Sequence, residues 1–157
     1  MRLSIILFIA VLVTGMSALA QEPILQAYSG NKVEVKAGSP VTYWFCLALQ
    51  NRKVDWKKVT VLGAFSIEQL DRPRQIPGIG ELWINPARLV HFDPNMSVRQ
   101  LTGNPSNDSA IVWTRLPAVS PALIGTRVFY QALLWNNDGP PVYTLSNIAD
   151  QFTILPA

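Results

Sequence analysis

The side chains best suited to acid–base or nucleophilic chemistry in this chain are one histidine, His91, and one cysteine, Cys46. Histidine is the commonest general base, but it acts together with partner groups, and the sequence places none of them beside His91 in a known pattern. The ten acidic residues occur one at a time in turns and on polar strand faces, so the sequence identifies no opposed carboxylate pair of the glycosidase kind. We predict no catalytic residue. An enzyme stays open as an alternative, with a non-enzymatic role favoured.

Metal and cofactor sites are not indicated either. The turns Asp93-Pro94-Asn95 and Asn104–Asp108 each offer one carboxylate, whereas calcium needs six to eight oxygen ligands, usually from several carboxylates. The pair of glycines in Gly78-Ile79-Gly80 lacks the third glycine and the following helix of a phosphate-binding loop. We therefore predict neither a metal nor a cofactor.

The five tryptophans suggest binding rather than catalysis. Trp44 and Trp135 lie in segments that are apolar on both faces, and we predict that both are core residues. Trp56, Trp83 and Trp113 lie on predicted strands with polar neighbours, so one or more of them could be exposed and contact a ligand. An exposed indole stacks on a sugar ring or packs on a partner protein, whereas a buried one simply fills the core.

Residues 1–20 have the pattern of a secretory signal peptide. Arg2 is the positive residue, Ile5–Val13 is an unbroken apolar run, and Ala18-Leu19-Ala20 is a small-x-small cleavage pattern. A membrane anchor is the alternative, but the apolar run is shorter than the roughly 20 residues that a spanning helix needs. We predict cleavage after Ala20, one domain over residues 21–157, and a secreted location, either extracellular or periplasmic.

The charge balance and the cysteine count limit the class of partner. The whole chain has a formal net charge of +3, and removing Arg2 with the leader brings it close to neutral. Such scattered charge does not predict a nucleic-acid surface, and no later segment is apolar enough to span a membrane. Cys46 lies in an apolar segment and cannot form an internal disulfide, so we predict that it is a small buried residue. A protein or a polysaccharide remains as the partner.

Alternating apolar and polar residues recur in short segments separated by turns, without a sustained helical period. We predict about eight or nine strands in a single antiparallel β-sandwich, with a barrel as the alternative. Val41–Gln50 and Gly125–Trp135 are the longest strands, and both are apolar on two faces, which is typical of interior strands. We predict that Gln21–Asn31 is an exposed lead-in and that Gly63–Gly80 is the least regular segment.

The C-terminal third carries a recognisable pattern. The segment Pro121–Ala132 (PALIGTRVFYQA), followed by Leu145-Ser146-Asn147, resembles the C-terminal end of a group of uncharacterised bacterial secreted β-sandwich proteins. That end has roughly the form P-x-L-x-G-x-x-[LV]-[YF]-x-Q-A, then L-S-N and a last apolar strand. In this chain Gly125, Gln131, Ser146 and Asn147 match it. The resemblance implies fold and export, and it carries no catalytic residue.

Gln131 is the unusual member of this motif, because it lies among apolar neighbours. A buried amide costs about 1–3 kcal/mol unless it is hydrogen-bonded. We predict that Gln131 and Asn147 tie the last connection to the central strand, where the Ser146-Asn147 break leaves backbone groups unpaired. We expect an exported, non-enzymatic binding or structural module. The alternative is a carbohydrate-binding or sugar-processing accessory domain that uses an exposed tryptophan.

Overall fold

A computed structural model describes residues 24–29, 34–50, 54–101, 108–137, 142–147 and 151–157. The described residues are all-β, which confirms the predicted class. They form twelve strands: β1 (Ile24–Ser29), β2 (Val35–Lys36), β3 (Val41–Gln50), β4 (Val59–Ser66), β5 (Gln69–Ile76), β6 (Gly80–Ile84), β7 (Leu89–Asp93), β8 (Ser97–Gln100), β9 (Asp108–Leu116), β10 (Arg127–Asn136), β11 (Val142–Leu145) and β12 (Gln151–Leu155). Two single 3-10 turns, Pro86–Arg88 and Pro121–Leu123, precede β7 and β10. The predicted leader, residues 1–20, and residues 104–107 of the predicted turn Asn104–Asp108 lie outside the described residues, whereas Asp108 begins β9.

The strands form three sheets. Four strands pair in the order β1-β3-β9-β8, and six strands form a second sheet in the order β2-β12-β10-β4-β7, with β11 also paired to β10. The third sheet is the hairpin β5-β6. Most pairings are antiparallel, as predicted, but β2 and β12 run parallel. The described residues form twelve strands rather than the eight or nine predicted. The strand β2 has only two residues, which pair with Ile154 and Leu155 of β12 at the edge of the sheet.

Aromatic side chains of the two larger sheets meet in one core. Tyr43 and Phe45 of β3 contact Tyr130 of β10, with ring centroids 5.4 and 4.7 Å apart. Phe65 of β4 lies 5.8 Å from Tyr43, edge-on, and Phe152 of β12 lies 4.8 Å from the same ring. The rings of β3, β4 and β10 are buried because these strands direct alternate side chains toward the space between the sheets, and Phe152 is partly buried against them.

The β5-β6 hairpin forms a third layer that the sequence did not predict. Leu82 and Ile84 of β6 pack with Leu62 and Leu133 of the six-stranded sheet in a second apolar cluster. The interpretation of Gly63–Gly80 as irregular is therefore wrong, because β4 extends to Ser66 and β5 follows. Pro73 is accommodated because β5 pairs on one side only, with an irregular register, and a proline is tolerated at such an edge.

The segment Ile24–Ser29 is also more regular than predicted. Ile24–Ser29 forms β1, which pairs along its whole length with β3. Leu25 and Ala27 are buried in the main core, so this part of the predicted exposed lead-in is an edge strand. The short alternation of apolar residues in this segment does not by itself distinguish a strand from an unstructured tail. The segment is a strand because β3 pairs with it, and that pairing cannot be read from the segment alone.

The long C-terminal strand β10 lies inside its sheet, as predicted. One edge pairs with β4 over eight consecutive residues. The other edge is divided, because Arg127–Phe129 pair with β12 and Leu133–Asn136 pair with β11. Between these two pairings the ladder is interrupted, and the interruption contains Gln131.

Candidate functional site

Two tryptophans lie side by side on the outer surface of the four-stranded sheet. Trp44 of β3 is directly opposite Trp113 of β9, and both are partly exposed. With Thr42 and Ile111 they line a shallow, mainly apolar depression. We call these four residues the aromatic face. Trp113 was one of the predicted ligand contacts, whereas Trp44 was predicted to be core. That prediction is wrong because no described element covers this side of the sheet.

The surroundings of the aromatic face are basic. Arg99 of β8 is opposite Ile111, and Arg115 of β9 is opposite Thr42. Both arginines are exposed. Among the described residues that point outward from this sheet, no side chain is acidic. The site therefore combines flat indole surface with guanidinium groups, which bind carboxylates and sulfates bidentately and also stack on planar groups.

Cys46 completes the apolar part of this surface. It is a free thiol, lies between Tyr28 and Ile111 in the register, and is partly exposed rather than buried as predicted, because its side chain is on the outer face of the sheet. Burial raises the pKa of the Cys46 thiol, so the uncharged form predominates at neutral pH. This placement fits an apolar contact rather than a reactive thiolate.

The other tryptophans have different environments. Trp56 lies in a turn and is 3% exposed within the main core, so for this residue the core alternative holds and it is not available to a ligand. Trp83 of β6 is partly exposed beside a cavity. Trp135 was predicted to be core and is 39% exposed, with its ring 5.9 Å from that of Tyr143. That prediction is wrong because the β5-β6 hairpin covers Leu133 but not the end of β10.

The amide of Gln131 is fully buried and hydrogen-bonded to three backbone groups. Its Nε2 group donates to the carbonyl oxygens of Glu81 and Ser146, each at 2.6 Å. Its Oε1 atom accepts from the Trp83 backbone N–H at 3.0 Å. The side chain thus joins β10 to β6 and to the residue after β11, which is where the edge ladder of β10 is interrupted.

Ser146 and Asn147 form hydrogen bonds to different sheets. Ser146 Oγ accepts from the Ala132 N–H at 2.8 Å, and the Ser146 N–H donates to the Ala132 carbonyl. Asn147 Oδ1 instead accepts from the Ala27 N–H at 2.7 Å, so it reaches β1 of the other large sheet rather than β10. Gly125 begins the motif with φ +82°, a conformation that favours glycine, and its N–H donates to Ile154.

His91 belongs to a hydrogen-bonded chain with Thr114 and Asp93. Thr114 Oγ1 donates to Asp93 Oδ2 and lies 3.2 Å from His91 Nε2. Because the single Thr114 proton is directed at Asp93, the Thr114 oxygen accepts from His91 and is not activated by it as a nucleophile. One carboxylate joins His91 in this chain, and the described residues include no group of three or more His, Cys, Asp or Glu side chains that could hold a metal ion.

We predict that the stability of the protein falls as the pH is lowered below neutrality. Burial lowers the pKa of His91 below its ordinary value of about 6.5, and the nearby Asp93 carboxylate opposes this shift only in part. As the pH falls through that ordinary value, the unfolded chain takes up the proton first, so stability is lost until the lower folded pKa is reached. Melting temperature should fall across this window, and His91→Gln should flatten the dependence. An unchanged slope in His91→Gln would contradict the prediction.

Comparison with known proteins adds little to these observations. No protein-family model matches the sequence, and no curated protein matches it. A structural search found a DUF4466 family protein from Parabacteroides merdae, which is 8% identical with a TM-score of 0.35. The match covers 87% of this chain and 46% of that one. At this score the similarity carries no argument. In the part of the chain that the structure describes, no helix is long and apolar enough to cross a membrane.

Proposed function

We propose that this protein is an exported, non-enzymatic binding module whose aromatic face binds an acidic polysaccharide. In this proposal residues 1–20 are removed as a signal peptide, and residues 21–157 form one β-sandwich domain. The observation that carries the proposal is the pair Trp44 and Trp113, which is partly exposed and flanked by Arg99 and Arg115.

A polysaccharide fits the shape of this surface. The cross-strand indole pair lies on an open sheet face rather than in a deep pocket, so an extended polymer can lie across it without having to insert. Sugar rings present apolar C–H faces that pack on indole rings, and aromatic surface of this kind dominates the energetics of many binding sites.

The charge on this surface favours an acidic polymer over a neutral one. Two exposed guanidinium groups flank the indoles, and the described outer face of this sheet has no opposing carboxylate. Carboxylates or sulfates on the polymer would pair with them in the bidentate manner typical of arginine. The same charges disfavour a second copy of this chain as the partner, since two such faces would repel each other.

Trp113→Ala should weaken binding of polygalacturonate, a polymer of uronic acid rings, by about tenfold, or about 1.4 kcal/mol. The physical reason is the loss of stacking area at the centre of the face. Retardation of the protein in gels containing the polymer, together with a fluorescence titration, measures the effect. Trp135→Ala is the matched control, because Trp135 is also exposed but lies on a different sheet. Equal loss in both variants would contradict the proposal.

The Arg115→Gln variant, which removes one flanking charge, separates the sugar contribution from the charge contribution. It should weaken binding of polygalacturonate, and added salt should weaken wild-type binding because it screens exposed charges. Dextran, a neutral polysaccharide, should bind more weakly than polygalacturonate. Polyglutamate, which has carboxylates but no sugar rings, should also bind more weakly. Polyglutamate binding as tightly as polygalacturonate would overturn the polysaccharide assignment.

A further inference from the structure

We propose that a second site, a cavity beside Gln131, binds one neutral sugar residue or a similarly polyhydroxylated small molecule. The cavity has a volume of about 280 Å³. One wall is formed by Gly78, Glu81 and Trp83, and the other by Thr144, Ser146 and Asn147. We call it the Gln131 cavity. It lies apart from the aromatic face, uses a different tryptophan and does not rest on the function proposed above.

Gln131 holds the two walls of this cavity together. Of its three backbone partners, Glu81 and Trp83 belong to one wall and Ser146 belongs to the other. A further backbone bond, from the Leu145 N–H to the Ile79 carbonyl at 2.8 Å, joins the same two segments. Walls that are fixed before the ligand arrives reduce the ordering cost of binding, so the cavity is preorganised.

The polar groups of the Gln131 cavity include both donors and acceptors. Thr144 is 4% exposed, and among the described residues its Oγ1 atom is buried without a hydrogen-bond partner. Leaving a buried hydroxyl unpaired is unfavourable, and natural proteins keep few such groups. Because this oxygen has almost no accessible surface, a ligand hydroxyl in the cavity would supply the missing partner once the Thr144 side chain rotates about its Cα–Cβ bond and turns the hydroxyl into the cavity.

Asn147 and Glu81 add an amide and a carboxylate. Asn147 Oδ1 is occupied by the Ala27 N–H, and its Nδ2 group has no partner among the described residues, which leaves two N–H donors for a ligand. The Glu81 carboxylate accepts from the Gln75 side chain and has further acceptor positions. An organic cation would need acceptors only, whereas this mixture matches sugar hydroxyl groups, which both donate and accept.

Trp83 and the size of the cavity limit the ligand to a small one. The indole is partly exposed at the cavity and offers an apolar surface for the C–H face of a sugar ring. Pockets for drug-sized ligands occupy roughly 300–1,000 Å³. This cavity, at about 280 Å³, is slightly smaller than that range and suits a single ring or the end of a glycan.

The experiment titrates the full chain with glucose, galactose, mannose and N-acetylglucosamine, each in turn, and follows the indole N–H signals by NMR. At least one of these sugars should shift the Trp83 signal, which is assigned by its absence in Trp83→Phe. Thr144→Val should weaken that binding by about fivefold or more, because one hydrogen bond is lost. Trp113→Ala, on the aromatic face, is the control and should leave it unchanged.

Thr144→Val also distinguishes a binding role from a purely structural one. The substitution keeps the shape of the side chain and removes an unpaired hydroxyl, so the melting temperature should stay the same or rise while sugar affinity falls. Unchanged affinity in Thr144→Val, or no shift of the Trp83 signal with any of the four sugars, overturns the proposal. Failure of polygalacturonate to bind the aromatic face does not affect it.

Discussion

Gln131→Leu is expected to lower the free energy of unfolding by about 3–5 kcal/mol. The substitution introduces an apolar side chain of similar size and leaves the Trp83 N–H and the Glu81 and Ser146 carbonyl groups without their partner. Each buried backbone group that loses its partner costs about 1–3 kcal/mol. Urea denaturation followed by circular dichroism measures the loss.

An exposed glutamine provides the matched control for this experiment. Gln100 of β8 is exposed, and Gln100→Leu should change stability by less than about 0.5 kcal/mol. Gln131→Ala should be at least as destabilising as Gln131→Leu, since it also leaves a cavity. If Gln131→Ala has the same melting temperature as the wild type, Gln131 does not hold the final connection in place.

Phe65→Ala should destabilise the protein by about 3–5 kcal/mol, which is the usual range for a fully buried phenylalanine. Phe65 has no exposed surface, and its ring lies 5.7 Å from Tyr130 and 5.8 Å from Tyr43. It therefore joins the aromatic side chains of both large sheets. Denaturant unfolding measures the effect.

Phe65→Leu separates ring packing from simple burial. Leucine keeps much of the buried apolar volume, so its cost should be clearly smaller than that of alanine. The Ile124→Ala variant is a surface control, because Ile124 is 44% exposed. A loss below about 1 kcal/mol for Phe65→Ala would show that the two sheets are not held together by this cluster.

The two proposed sites can be tested independently because they use different side chains. Trp113 and the two arginines belong to the four-stranded sheet, whereas Trp83 belongs to the β5-β6 hairpin. The Gln131→Leu variant should affect both the stability of the protein and the Gln131 cavity, because it removes the hydrogen bonds that hold the backbone of Glu81 and Trp83. In that variant we expect weaker sugar binding in the Gln131 cavity together with unchanged binding at the aromatic face.

Local sequence pattern determined the all-β class and the interior position of β10. The alternation along Gly125–Trp135 places Val128, Tyr130, Ala132 and Leu134 on one face of β10, and these four side chains are in the main core. Gln131 was predicted to bond to backbone groups near the Ser146-Asn147 break, and its amide bonds to the Ser146 carbonyl. Strand periodicity and the cost of burying an unpaired amide are local physical rules, so they can be applied without knowing the fold.

Only the tertiary structure decided which tryptophans are accessible. Trp44 and Trp135 lie on strands that are apolar on both faces, yet one is partly exposed and the other is 39% exposed. The exposure of a strand residue depends on whether a distant segment covers it, as the hairpin β5-β6 covers Leu133 but leaves Trp135 uncovered. The pairing of Trp44 with Trp113, and the meeting of Trp83 with Thr144 and Asn147 around one cavity, likewise depend on register between segments far apart in sequence. Periodicity along one strand carries no information about that register, because it specifies the face of each side chain but not its neighbour.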